Sequence, residues 1–112
     1  MAAPTHMAVI GAGSWGTAFA VLAAEAGDPV SLWARRPDLA EQLQSERVTR
    51  DYLPGLRLAD SVSVTADLER AIEGASVLVT SCPACIIHLA YGIRLRRLPI
   101  RVCHISELLT GR

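Results

Sequence analysis

Three glycines within six residues constrain this chain more tightly than any other feature of it. The stretch VIGAGSWGTAFA, residues 9–20, sets Gly11, Gly13 and Gly16 between a short apolar run and a helical pattern of small residues. Met7 to Ile10, MAVI, reads as a strand buried on both faces, because it is continuously apolar rather than alternating. From Ser14 to Ala26 the apolar period becomes helical, with Trp15, Phe19, Leu22 and Ala26 on successive turns. Gly27 closes that helix, Asp28-Pro29 turns the chain, and VSLWA, residues 30–34, reads as a second strand. A strand, a helix and a strand joined this tightly form a βαβ unit with a right-handed crossover.

The spacing G-x-G-x-x-G assigns each glycine a task. Gly11 allows the tight turn, Gly13 has no Cβ to block an approaching pyrophosphate, and Gly16 lets the helix lie close on the strand. The helix beginning at Ser14 then offers free N–H groups and the positive end of its dipole to a phosphate. Three glycines arise by chance often enough to mean little alone; their weight comes from following a strand and opening a helix inside a βαβ unit. The competing reading is a glycine-rich turn that binds nothing.

Downstream, a second helix is expected from Asp38, with Glu41 completing a capping box and Leu39 and Leu43 facing inward. YLPG, residues 52–55, reads as a turn, SVSVT, 61–65, as a strand, and Asp67–Glu73 as a brief helix. ASVLVTS, 75–81, is rich in β-branched residues and reads as a further buried strand. IIHLAYGIRLRR has partial helical periodicity, with Gly92 working against it, and IRVCHI, 100–105, suits a fifth strand. Strands alternating with helices predict a Rossmann-type open parallel α/β sheet of four to five strands in one domain.

The end of the second strand selects the dinucleotide. An acidic residue there would accept hydrogen bonds from a ribose 2′-OH, but the chain has Arg35 and Arg36, which suit a 2′-phosphate. NADP is therefore favoured over NAD, against the plainer reading of two solvated arginines. Asp38 reads as a helix cap rather than a ribose ligand. A formal net charge of zero points to neither nucleic acid nor an anionic membrane as partner. Apolar runs are broken by Glu25, His88 or Arg94 before they could span a bilayer, and MAAPTHM lacks the pattern of a secretory signal, so a cytoplasmic location is expected.

At this point four segments together, VIGAGSWGTAFA, VSLWARRPDLAEQL, YLPGLRL and VTADLERAIEGASVLV, closely resemble the N-terminal domain of bacterial NAD(P)-dependent glycerol-3-phosphate dehydrogenases. GAGSWGTA and YLPG at this separation are far more specific than the glycines, and they argue against other β-hydroxyacid-type dehydrogenases. The resemblance covers about residues 7–81. It implies reversible hydride transfer between NAD(P)H and dihydroxyacetone phosphate, giving sn-glycerol 3-phosphate for phospholipid synthesis, by enzymes that form homodimers. It also implies cofactor contacts at Ser14, Trp15, Arg35, Arg36 and Tyr52; the last comes from the resemblance alone.

The family continues with a V-P-S-like turn, a Ser/Thr-Lys-Gly segment and a helical substrate domain carrying a second essential lysine. Here Cys82-Pro83 matches the turn loosely, residues 82–112 diverge, and the chain contains no lysine. The positive charge and proton that carbonyl reduction requires thus have no evident source, and no catalytic residue is assigned. The expectation is a partial dinucleotide-binding domain that binds cofactor without turnover, or alternatively a stand-alone binding or sensing module. The charge balance shifts in the tail: residues 74–112 hold one acid and five arginines, and all three cysteines, which also fits a shifted reading frame near residue 82. Cys82, Cys85, Cys103 and His104 can be written as a redox C-x-x-C or as zinc ligands. The plainer reading is small buried apolar groups, and no metal is assigned.

Overall fold

The computed structural model describes residues 6–48 and 56–105. Five strands form one sheet in the order β3-β2-β1-β4-β5, and every pairing is parallel. Along the chain these are β1 (Met7–Ile10), α1 (Ser14–Glu25), β2 (Val30–Trp33), α2 (Pro37–Glu46), β3 (Val62–Thr65), α3 (Leu68–Ile72), β4 (Val77–Thr80), α4 (Pro83–Arg96) and β5 (Arg101–His104). The central register aligns Met7 with both Val30 and Val77. This is the doubly wound order expected of a Rossmann-type sheet.

The pleat divides the core. Val9, Leu32 and Val79 belong to the layer shared with Phe19, Ala20 and Ala23 of α1 and Leu43 of α2. Ala8 and Leu78 belong to the other, with Ile72 of α3 and Leu89 and Ile93 of α4. Both layers are apolar because the central strands carry apolar residues at consecutive positions. Full burial of a side chain such as Leu32 or Leu43 stabilises the fold by about 1.5–3 kcal/mol.

Two elements depart from the sequence reading. On α1 the buried residues are Gly16, Thr17, Phe19, Ala20, Val21 and Ala23, whereas Trp15 and Leu22 are 69% and 53% exposed. Almost every α1 residue is apolar, so periodicity alone could not choose the face; close packing on β1 selects the small residues. Helix α2 begins one residue earlier than expected, with Pro37 at its start and Arg36 as N-cap. Asp38 is therefore no cap, and its expected capping box with Glu41 is absent: the Asp38 carboxylate accepts from the Arg36 guanidinium instead. Proline at the first helical position is pre-set for the helix and gives up only an N–H that would be unpaired anyway. The last two elements follow the reading: α4 runs through Gly92 without a break, and β5 pairs with β4 as the fifth strand.

The outer edge of β3 is closed by two side chains of α2 and its C-cap. Gln44 Oε1 accepts the Val64 N–H at 2.7 Å. Buried Arg47 donates to the carbonyls of Ala59 and Val62, the latter at 2.6 Å, and to Gln44 Oε1 at 3.3 Å. Removing such a group leaves carbonyls without a donor, which costs more than the bonds contribute.

Two stability outcomes follow from this packing. A Cβ on Gly16 would lie 1.9 Å from the Gly11 carbonyl oxygen, which is backbone and cannot swing aside. Gly16→Ala is expected to cost about 3 kcal/mol or more by forcing α1 off β1, read as a lowered urea midpoint with unchanged slope. Arg47→Met should cost about 2–3 kcal/mol, with Arg47→Lys recovering only part because an ammonium lacks the guanidinium fork.

Candidate functional site

The chain leaves β1 to build β2 and β3 on one side, then returns to place β4 and β5 on the other. The connections after β1 and β4 enter α1 and α4, which belong to opposite core layers. Their divergence opens a crevice outside the carboxyl ends of these two strands, the position where such sheets bind ligands.

One wall is the glycine turn. Gly11 takes φ +113°, a conformation strained for any L side chain, and its N–H donates to the Trp33 carbonyl at 3.0 Å. That bond holds the turn beside the end of β2. Gly13 is the N-cap of α1, and a Cβ built on it meets nothing within 4 Å, so the space above it is open. Gly13 offers no side chain to cap α1, and no acidic residue lies in the first turn of that helix. Its first N–H groups are left for an external acceptor, with the dipole favouring an anion. Ser14 is the first residue of α1, and Trp15 follows it as a largely exposed indole.

Sequence reasoning missed the residue that braces this turn. Thr17 is fully buried, and its Oγ1 donates to the Ala12 carbonyl at 3.2 Å while its N–H donates to Gly13 O at 2.9 Å. A hydroxyl in an otherwise apolar helical run was the available signal. Trp33, a half-buried strand residue, likewise ties β2 to the loop after β3 through Nε1–H to Ala66 O at 2.9 Å.

Arg35 and Arg36 extend from the end of β2, next to the glycine turn, and both are exposed. Arg36 donates to Asp38 through Nε at 3.3 Å and Nη2 at 3.0 Å. This guanidinium holds the Asp38 carboxyl below its usual range. Among the described residues Arg35 makes no such pair. Tyr52 and the YLPG turn lie outside the described residues.

The opposite wall is the turn after β4. Buried Thr80 accepts the Cys82 N–H on Oγ1 at 3.2 Å, and the Ser81 carbonyl lies 3.1 Å from His104 Nε2. Cys82 caps α4, whereas Cys103 is buried in the sheet. Among the described residues no three of His, Cys, Asp and Glu gather as a metal would require, so Cys82, Cys85, Cys103 and His104 form no ligand set. A groove of about 740 Å³ lined by Asp67, Arg70, Gly74 and Pro99 lies among the loops that lead into β4 and β5, at the other end of the strands.

Comparison with known proteins agrees with this geometry. Residues 6–93 match the family described as NAD-dependent glycerol-3-phosphate dehydrogenase N-terminus. The glycerol-3-phosphate dehydrogenase (NAD(P)+) of Moorella thermoacetica is 53% identical over 78 residues, covering 70% of this chain and 23% of that protein. The enzyme of the same name from Deinococcus radiodurans is 53% identical over 76 residues, covering 68% and 23%. The chain thus spans less than a quarter of the length of these relatives. Among solved structures, glycerol-3-phosphate dehydrogenase from Coxiella burnetii superposes with a TM-score of 0.74 at 30% identity, over 90% of this chain and 32% of that one. The Saccharomyces cerevisiae enzyme shares the fold, with a TM-score of 0.70 at 22% identity over 91% and 33%. With most of its length matched, from His6 through α4, the chain belongs to the NAD-dependent glycerol-3-phosphate dehydrogenase family, of which it carries the N-terminal domain.

Proposed function

We propose that this domain binds NADP(H), and NAD(H) more weakly, in the crevice between the turns after β1 and β4, and that it serves the chemistry of glycerol-3-phosphate dehydrogenase. The observation that carries the reading is the open, uncapped N-terminus of α1 above Gly13. Its N–H groups suit a pyrophosphate, and the absence of a Cβ on Gly13 allows close approach. Gly11 shapes the turn, Gly16 seats the helix, and Ser14 and Trp15 border the phosphates. Arg35 and Arg36 receive the adenosine end, where a guanidinium pairs with a 2′-phosphate. The Arg36–Asp38 pair is exposed and yields at little cost. Tyr52 is included by family resemblance.

A bound nicotinamide supplies the hydride in this chemistry; these residues hold and orient the dinucleotide. The chain contains no lysine, so we assign it no catalytic residue and no turnover by itself. No described helix is long and apolar enough to cross a membrane. We further propose a cytoplasmic setting, consistent with three free cysteines.

Titration of NADPH and NADH against the fluorescence of Trp15 and Trp33 tests the assignment. The purified chain should bind both, NADPH more tightly. Replacing Arg35 and Arg36 by serine should weaken NADPH by about ten- to a hundredfold, since a charged hydrogen bond is worth about 1.5–3 kcal/mol, and change NADH little. Gly13→Ala should weaken both dinucleotides with an unchanged urea midpoint. Equal losses in the arginine variant would remove the 2′-phosphate assignment, and absence of binding by the unaltered chain would sink the reading. NADPH oxidation with dihydroxyacetone phosphate should stay at background, and turnover would overturn the non-catalytic assignment.

A further inference from the structure

Two thiols meet on the turn after β4. Cys82 is the N-cap of α4, with extended backbone at φ −103° and ψ 113°, and Pro83 occupies the first helical position. Cys85 stands at the third. An N-cap side chain folds back onto the N–H two or three residues ahead, the contact that serine and threonine make in capping. Here the acceptor is sulfur: Cys82 Sγ receives the Cys85 N–H at 3.4 Å. The same fold-back sets Cys85 against the Cys82 sulfur. Both side chains are half-buried and so remain within reach of solvent, whereas Cys103 is sealed in the sheet.

The chemistry of the two sulfurs is unequal. The Cys85 thiol and the backbone N–H groups of Cys85 and Ala84 stabilise a thiolate on Cys82, lowering its pKa below the usual thiol range. Cys85, as donor in that contact, is raised. A thiolate at a helix N-terminus with a second thiol three residues on, its backbone N–H already on the first sulfur, has the parts of a thiol–disulfide exchange centre: an attacking sulfur and a resolving sulfur.

We propose that Cys82 and Cys85 form a reversible dithiol–disulfide pair that exchanges with small-molecule disulfides, Cys82 attacking and Cys85 resolving. The Cys82 thiolate attacks one sulfur of the disulfide RSSR; the S–S bond breaks, and RS⁻ departs and takes up a proton. Cys85 then loses its proton and attacks the Cys82 sulfur, expelling the second RS⁻, which is protonated in turn. The chain gives up two electrons and two protons, and RSSR is reduced to two RSH. The inference rests on the α4 cap alone and stands whether or not a dinucleotide binds the crevice.

Trypsin separates the relevant sulfurs, because cleavage after Arg70 and Arg94 leaves Cys82 and Cys85 in peptide 71–94, and cleavage after Arg101 places Cys103 in peptide 102–112. The full folded chain is equilibrated in buffers of rising oxidised-to-reduced glutathione ratio, quenched, alkylated and digested. Peptide 71–94 should lose two hydrogens and accept no alkyl group as the ratio rises, while peptide 102–112 keeps its label. In Cys85→Ser, glutathione should remain attached at Cys82. Iodoacetamide should alkylate Cys82 of Cys85→Ser several-fold faster than Cys85 of Cys82→Ser, and urea should abolish the difference. Two labels or two glutathiones on peptide 71–94 at every ratio, or a disulfide to Cys103, would overturn the pair. Equal or reversed alkylation rates would overturn the assigned roles.

Discussion

The close approach of Gly16 to the Gly11 carbonyl governs the rest of this structure. A hydrogen atom at Gly16 is what allows the first turn of α1 to rest on the loop that leaves β1, since any Cβ would fall inside the oxygen's van der Waals surface. With α1 seated there, its axis points its uncapped N–H groups at the crevice, and Phe19, Ala20 and Ala23 reach the central strands. The small side chains of that stripe are a consequence of the distance, not of helix propensity. Trp15 and Leu22 are turned outward for the same reason.

Around this contact the molecule solves two edge problems with different means. At β3, side chains of α2 and its C-cap satisfy backbone groups that an open edge would leave unpaired, with Arg47 spanning two carbonyls and Gln44 one N–H. Beyond β4 the solution is another strand, β5, joined through α4. It pairs in register from Val77–Arg101 to Thr80–His104. Parallel pairing needs only suitable backbone and an apolar inner face.

Electrostatics at the crevice is arranged by omission as much as by placement. No acidic residue lies in the first turn of α1, and the cap of that helix is a glycine without a side chain to compete for its N–H groups. Across the crevice, α4 is capped by a cysteine sulfur. The two helix N-termini that border the switch point therefore differ in kind: one is capped by a glycine and the other by a cysteine sulfur.

The local covalent constraints were legible in the sequence. A continuous apolar run, three glycines at fixed spacing and a following helix define a βαβ unit because their causes, steric freedom at Gly11 and side-chain volume at Gly16, act within a few residues. The same holds for β1, β2 and the brief helix opened by Asp67, whose carboxylate accepts the Glu69 N–H. Tertiary structure decided what depended on distant partners. The buried face of a mostly apolar α1 was set by the strands beneath it, whereas the start of α2 at Pro37 and the Arg36–Asp38 pair that replaced the expected cap are local, two residues apart. Continuation of α4 through Gly92 drew on packing of Leu89 and Ile93 against Leu78. Nothing in the local sequence marks Arg47; the carbonyls of Ala59 and Val62 come within its reach only in the fold. Sequence spacing is sufficient where one turn of chain supplies both partners, and it fails where the partner arrives from another strand.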